Sequence, residues 1–205
     1  GRLLRLRLNQ PKANIINAVM IAALSRAFTD HLSNPALSAV VLDAEGPHFS
    51  FGASVEEHRP AQCAQMLHEL HRLILLMVES PVPILVAVHG QCLGGGLELA
   101  LAGHFLFVAP DASLGQPELK LGVFAPAASC LLPELAGPMW SLDLLISGRS
   151  ISGTEAASIG VAREAAKEPG ASPDDFASMS RWASLAPTQA DDLPSSWQEQ
   201  ARAPY

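Results

Sequence analysis

The run Pro83-Ile-Leu-Val-Ala-Val-His89 leads without a break into Gly90-Gln-Cys-Leu-Gly-Gly-Gly96, and then into Leu97-Glu-Leu-Ala-Leu101. Unbroken apolar residues at strand length predict a strand covered on both faces, because a strand wetted on one side alternates polar and apolar residues. A buried strand that ends in glycines and opens a helix over 97–101 constrains the fold more than any other feature of the chain. It predicts an α/β architecture.

The flanking segments agree with that prediction. Residues 3–8 alternate Leu and Arg, the period of a half-buried strand, and Asn9-Gln-Pro-Lys-Ala-Asn14 reads as a turn. Apolar residues at helical spacing over 16–32 and 63–78 predict helices, the second ended by Ser80-Pro-Val-Pro83. Strands are expected at 38–42, 105–108 and 112–115, with a short strand at 47–52 entering a tight turn at Gly52. Residues 126–135 and 139–146 predict successive helices, and Ser152-Gly-Thr-Glu155 is a capping box whose helix Gly160 closes. No internal repeat is visible. From Lys167 the pattern fades into a polar stretch broken by Pro169, Pro173, Pro187, Pro194 and Pro204. The expected organisation is a core over 1–166 and an atypical C-terminal segment over 167–205, of short helices or partial disorder.

Two glutamates interrupt otherwise uncharged surroundings: Glu98 after the glycines, and Glu118 in Gly115-Gln-Pro-Glu-Leu-Lys-Leu-Gly122. An ionised carboxylate is expensive to hold among apolar groups, so two of them beside a glycine turn point to a site. Either alone reads equally well as a salt-bridged or snorkelling residue. The glycines themselves can be read as a tight turn with close strand–helix packing. They can also be read as backbone N–H groups presented at the positive end of a helix, where developing negative charge is stabilised.

Other chemistries lack their signatures. The sixth position from Gly94 is Leu99, so the dinucleotide pattern G-x-G-x-x-G fails; no Lys-Ser/Thr follows the glycines as a phosphate loop needs, and no G-x-S-x-G elbow is present. Cys63, Cys92 and Cys130 are odd in number and widely spaced, which supports neither a disulfide framework nor a zinc knuckle, and a reducing cytoplasm is expected. His68 and His71 share a helix face without an H-E-x-x-H pattern; a solvated helix explains them, and no metal is expected. A net charge of −7 gives no electrostatic case for nucleic acid or an anionic membrane. Glu79, Pro81, Pro83, His89 and Glu98 break the longest apolar runs, and the alternating Arg2, Arg5 and Arg7 do not resemble a signal peptide. An anionic ligand needs local cations such as Lys12 or Lys120. What remains is an oxyanion site with two carboxylates, suited to chemistry on an acyl group.

These residues resemble the crotonase (enoyl-CoA hydratase/isomerase) superfamily over residues 3 to about 166. The resemblance is carried by Asn9-Gln-Pro-Lys-Ala-Asn14, Phe49-Ser-Phe-Gly-Ala53, Gly90-Gln-Cys-Leu-Gly-Gly-Gly-Leu-Glu98-Leu-Ala100, Gly115-Gln-Pro-Glu118 and Leu145-Ile-Ser-Gly-Arg149-Ser-Ile-Ser-Gly-Thr-Glu155-Ala, in that order. It implies a spiral of ββα units with C-terminal helices, trimers or paired trimers, and an acyl-CoA thioester as substrate, with coenzyme A belonging to that substrate and no further cofactor. It implies that Ala53 and Gly95 hold the thioester oxygen through their N–H groups, and that Glu98 and Glu118 are the catalytic pair of a hydratase. Glu118 is then the main proton donor and Glu98 the water-activating partner. Lys12, Ala13, Gly52, Ser54, Gly94 and Phe124 fall at substrate-binding positions.

Relatives that isomerise, decarboxylate or hydrolyse often replace one glutamate, so hydration leads. Isomerisation, ring hydrolysis and a non-catalytic acyl-CoA-binding oligomer subunit are the alternatives. Gly122-Val-Phe-Ala-Pro-Ala-Ala-Ser-Cys130 replaces the usual Pro-Gly and Gly-Gly-Thr-Gln stretch. Together with His48-Phe-Ser-Phe-Gly-Ala-Ser-Val-Glu-Glu57, it is similar to the cyclohexa-1,5-diene-1-carbonyl-CoA hydratases of aromatic degradation. Ser54 stands where many relatives carry Asp, and residues 167–205 lack the amphipathic helices with which relatives continue.

Overall fold

The computed structural model describes residues 2–10 and 12–165 of the chain, so the expected C-terminal segment lies outside the described residues. Among them, β3 (Ile84–Val88) is buried at every position, as its uninterrupted apolar run requires. It lies inside a parallel sheet ordered β1-β2-β3-β5-β8, formed with β1 (Leu3–Leu8), β2 (Ala39–Ala44), β5 (Phe105–Val108) and β8 (Glu164–Ala165). One face, with Val40, Leu42, Ile84, Val86, Leu106 and Val108, packs in the main core with α1 (Ala18–His31) and α2 (Cys63–Val78). Ala39, Val41, Leu85, Ala87 and Phe107 form a smaller core on the other face.

The alternation in β1 has a specific use. Leu4, Leu6 and Leu8 turn to the main core, whereas Arg5 and Arg7 both reach Asp43 of β2, at 2.6 and 3.0 Å. The Asp43 side chain is 2% exposed, a depth at which a carboxylate needs partners of this kind.

At Gly90 the chain leaves this sheet for a second one, ordered β4-β6-β7: β4 (Gln91–Leu93), β6 (Ser113–Gly115) and β7 (Ser150–Ser152). A side chain at Gly90 would collide with the Pro47 carbonyl oxygen, and its φ of 58° favours glycine besides. β3-β4-α3, with α3 spanning Gly95–Leu101, is thus a strand–strand–helix unit, and the other turns of the spiral use the same plan in abbreviated form. The expected strand over 47–52 is reduced to one bridge, Ser50 to Cys92, and Ile16 bridges Ala53. That second bridge also explains why α1 starts later than its apolar spacing predicts. Ile16 is held extended by its N–H on the Gly52 carbonyl, and Asn17 then caps the helix, its Oδ1 accepting from the Met20 N–H at 3.0 Å.

The two helices expected after Pro126 run as α4 (Pro126–Ser147), kinked where Gly137 takes φ 75° immediately before Pro138. The capping box is half made: Ser152 Oγ accepts from the Glu155 N–H at 3.1 Å, opening α5 (Gly153–Ser158), but the Glu155 carboxylate pairs with Arg149. Gly160, at φ 89°, follows the helix end as expected. β4, β7 and β8 were not foreseen, being too short to carry a period.

Candidate active site

The register of the second sheet decides where the glutamates go. β4 pairs with β6 so that Leu93 faces Gly115, and the Gly94 N–H donates to the Gly115 carbonyl at 2.9 Å. Both strands then stop: β4 turns through Gly94 into α3, and β6 passes through Gln116 into a 3-10 helix, Pro117–Leu121. Glu98 and Glu118, twenty positions apart in sequence, are carried to the same end of neighbouring strands. The Glu98 N–H donates to the Gly94 carbonyl at 2.9 Å, while a Cβ on Gly94 would lie 2.5 Å from Glu118 Oε1.

Each glycine of the triplet is required for a different reason. Gly94 has φ 53°, a left-handed backbone, and gives its side-chain space to Glu118. A Cβ on Gly95 would press on Ala53, 3.0 Å from its Cβ and 3.2 Å from its nitrogen. A Cβ on Gly96 would strike Ser50, 2.6 Å from both Cβ and Oγ. Ser50 itself is fully buried; its Oγ donates to the Asn14 carbonyl at 2.7 Å and accepts from the Gly52 N–H at 3.0 Å. Asn14, with φ 46° and 3% exposed, anchors the preceding turn by donating to the carbonyls of Glu45 and His48, each at 3.0 Å. The Asn9–Asn14 and Phe49–Ala53 motifs therefore lean on one another to hold Ala53 beside Gly95. Neither the Ala53 nor the Gly95 N–H has an acceptor among the described residues. Two neighbouring unpaired N–H groups, one opening a helix, are an arrangement able to stabilise negative charge.

Glu98 is 3% exposed. Its Oε1 accepts from the N–H groups of Ala127 and Ala128, at 2.8 and 3.0 Å, and so satisfies the first turn of α4, where Ala125 supplies no side-chain cap. Oε2 takes no hydrogen bond among the described residues. Burial raises the pKa of Glu98, opposed by the N–H groups of Ala128 and Ala127 and then by the charges of His71 and His58. Glu118 is pushed up to about 7, above all by burial and then by the nearby charge of Glu98, while its own N–H and His58 pull the other way. The charge of Glu98 is thus felt at Glu118.

Three further residues act on this pair, one by contact and two through their charge. Gln116 is 1% exposed and, with its amide nitrogen toward Glu118, donates to both carboxylate oxygens at 3.1 and 2.9 Å. The opposite orientation would set an amide oxygen against two acceptors. His58 Nδ1 lies 2.7 Å from the Ser54 carbonyl oxygen and is near enough for its charge to act on both glutamates. His71, expected on a solvated helix face, instead buries its Nε2 with no partner among the described residues, whereas His68 is exposed. Gln116 lay inside a motif read for its glutamate, and the histidines carried no spacing that marks them.

Of the expected binding residues, Gly52, at φ 101°, and Ser54 flank Ala53 directly, and the Ala13 carbonyl accepts from the Phe51 N–H at 3.0 Å. Lys12, at φ 80°, is exposed beside Ala13. Phe124 is 70% exposed just ahead of α4, and no described contact brings it or Lys12 to the glutamates. A groove on the outer face of α1, lined by Ala18, Val19, Ala22 and Arg26, shares no residue with this site. Among the described residues no His, Cys, Asp or Glu cluster could hold a metal, and no helix is long and apolar enough to cross a membrane.

The pattern of the enoyl-CoA hydratase/isomerase family matches residues 2–204. The chain is 65% identical over 169 residues to the cyclohexa-1,5-dienecarbonyl-CoA hydratase of Thauera aromatica, covering 82% of this chain and 66% of that one. It is 35% identical over 168 residues to a probable enoyl-CoA hydratase of Bacillus subtilis (strain 168), covering 80% and 65%. It therefore spans about two thirds of the length of these relatives. Among solved structures it superposes on an enoyl-CoA hydratase from Bacillus anthracis with TM-score 0.76 at 27% identity, over 80% of this chain and 66% of that one. A Magnetospirillum magneticum enoyl-CoA hydratase/carnithine racemase gives TM-score 0.84 at 25% identity, over all of this chain and 79% of that one. A spiral of strand–strand–helix units, its two glutamates gathered at the glycine turn, and a family pattern matched almost from end to end place this chain in the enoyl-CoA hydratase/isomerase, or crotonase, family.

Proposed function

We propose that the chain is an acyl-CoA hydratase that adds water to a conjugated enoyl-CoA, with a cyclic dienoyl-CoA thioester as the favoured substrate. The observation that carries this reading is the pair of carboxyls gathered around Gly94, both with raised pKa, beside the unpaired N–H groups of Ala53 and Gly95. The 65% identity to a hydratase of that substrate class supports the choice of acyl group.

The division of labour follows from the environments. Glu98 receives two backbone N–H groups on Oε1, which favour its charged form, and keeps Oε2 free to take a proton from water. Glu118, at about 7, carries a proton near neutrality and donates it to the carbon next to the carbonyl. The water oxygen bonds to the ring or chain carbon, its proton passes to Glu98, and electron density moves to the thioester oxygen. The N–H groups of Ala53 and Gly95 stabilise that oxygen as it becomes enolate-like. Protonation by Glu118 restores the carbonyl, and exchange with solvent returns the proton from Glu98 to Glu118. Gly52, Ser54, Gly94 and Ala13 frame the thioester end, Lys12 meets an anionic group of coenzyme A, and Phe124 borders the acyl group. Coenzyme A arrives and leaves with the substrate; no other cofactor takes part.

Exposed apolar residues on α4, with Met139 at 77% and Ile146 at 64%, support assembly into a homotrimer or hexamer. The free thiols Cys63, Cys92 and Cys130 suit a cytoplasmic setting.

The test is to supply purified protein with crotonyl-CoA and, separately, a cyclic dienoyl-CoA, following loss of the conjugated thioester absorbance and identifying products. Hydroxyacyl-CoA supports the proposal. A shifted double bond, an opened ring, or tight binding without turnover would replace it with isomerisation, ring hydrolysis or a binding subunit.

A further inference from the structure

The run from Phe49 to Ser54 carries one of the two unpaired N–H groups, and its hydrogen bonds can be followed residue by residue. The N–H of Phe49 donates to the carbonyl of His89, that of Ser50 to Gln91, that of Phe51 to Ala13 and that of Ser54 to Ile16, each at 3.0 Å. The Gly52 N–H goes instead to a side chain, the Ser50 hydroxyl, at 3.0 Å. Within the run, Ala53 alone keeps an N–H without an acceptor among the described residues.

Gly52 is the soft point of this run, because its φ of 101° needs a glycine and a glycine resists rotation least. Two bonds hold it. Its carbonyl accepts from the Ile16 N–H at 2.9 Å, which sets the peptide plane leading into Ala53, while its own N–H on Ser50 sets the plane before. The Ser50 hydroxyl has one proton, already given to the Asn14 carbonyl at 2.7 Å, so toward Gly52 it can only accept. Ser50 is fully buried and its backbone is stitched to β4 on both sides, its N–H on the Gln91 carbonyl and its carbonyl accepting from the Leu93 N–H, each at 3.0 Å. The hydroxyl is thereby fixed relative to the strand that turns into Gly95, and a Cβ on Gly52 would lie 3.6 Å from the Gly95 nitrogen. Filling the space beside Gly96 does not account for the hydroxyl, since an alanine would serve that purpose.

We propose that Ser50 is a positioning residue for oxyanion stabilisation: by holding the Gly52 N–H, its hydroxyl keeps the Ala53 N–H turned, together with that of Gly95, toward the thioester oxygen. This role rests on the acyl-CoA reading given above. Its effect falls on the transition state. Charge builds on the thioester oxygen only as water adds, so a misdirected N–H costs turnover more than it costs binding.

The test compares wild type, Ser50→Ala and Ser50→Cys, with Asp43→Asn as a control that loses stability through the β1–β2 ion cluster instead. In Ser50→Ala, kcat falls by roughly 10- to 100-fold while KM changes little. A second readout needs no turnover: cinnamoyl-CoA bearing a para-dimethylamino group absorbs at longer wavelength when hydrogen bonds polarise its thioester carbonyl. Wild type and Asp43→Asn red-shift its band on binding. The shift shrinks in Ser50→Ala, and less so in Ser50→Cys, whose thiol occupies the space but accepts weakly. Ser50→Ala with wild-type kcat and a full red shift would overturn the proposal. So would a lowered kcat beside a full red shift, since that pattern means packing alone. Should Ser50→Ala not fold, the same two criteria apply to Ser50→Cys. A folded wild type that hydrates neither thioester and leaves the band unmoved removes the acyl-CoA reading and this role with it, whereas an active wild type beside a fully active Ser50→Ala removes only the latter.

Discussion

The space that a side chain at Gly94 would fill is occupied by the Glu118 carboxylate, whose Oε1 lies 2.5 Å from where that Cβ would stand. Gly94→Ala therefore displaces the Glu118 carboxylate and strains a backbone at φ 53°. Turnover is expected to fall by roughly 10²-fold in a protein that still folds, since displacement of about an ångström has effects on that scale. Steady-state kinetics with a circular-dichroism check decides it; normal kcat in Gly94→Ala would show that Glu118 tolerates displacement.

Glu118→Gln removes the group proposed as proton donor. Its kcat is expected to drop by roughly 10²-fold or more with little change in thioester binding, measured by calorimetry beside kinetics. The same variant tests a linkage. A pKa of about 7 against an ordinary 4.5 means that the folded state holds a proton the unfolded state has released, so stability falls as pH rises between those values. Denaturant melts at pH 5 and pH 8 should show that decline in wild type and a flatter profile in Glu118→Gln. A slope that persists undiminished in the variant would assign the effect to another group.

Neighbours of Glu118 should move the alkaline limb of the activity profile in opposite directions. The charge of Glu98 raises the pKa of Glu118, so Glu98→Gln, in whatever activity survives, moves that limb to lower pH. Gln116 donates to both oxygens and favours the charged form, so Gln116→Leu moves it to higher pH. Profiles of kcat/KM for the three proteins suffice, and shifts of the same sign would contradict the geometry.

Asp43→Asn removes the charge that gathers Arg5 and Arg7 at the sheet edge. The loss is expected to be about 1–3 kcal/mol, read from urea melts. It should leave kcat untouched, because the cluster shares no contact with the glutamates. Altered kcat at unchanged stability would place Asp43 in the catalytic machinery.

Much of this was legible in the chain itself, for identifiable reasons. Ile84–Val88 declared a doubly covered strand because every residue is apolar, and Glu98 and Glu118 stood out because their surroundings carry no charge. The motif resemblance supplied the pairing of Ala53 with Gly95, and the spiral brings those two residues into contact. What could not be read is non-local or too short to show a period. Gln91–Leu93 is a three-residue strand hidden in a glycine string, and its register against Ser113–Gly115, on which the meeting of the glutamates depends, is set by tertiary packing. Gln116 escaped notice and His71 was read as solvated because what marks them is burial and the presence or lack of a partner, neither of which a residue's identity reveals.

The grip of Glu98 Oε1 on the opening turn of α4 carries a lesson for anyone redesigning this scaffold. In the proposed mechanism one side chain serves as both reagent and fastening, so a truncation at residue 98 would unpin the helix start along with any chemistry the carboxylate performs. A designer wishing to retire that carboxylate would first have to install a replacement anchor ahead of Pro126.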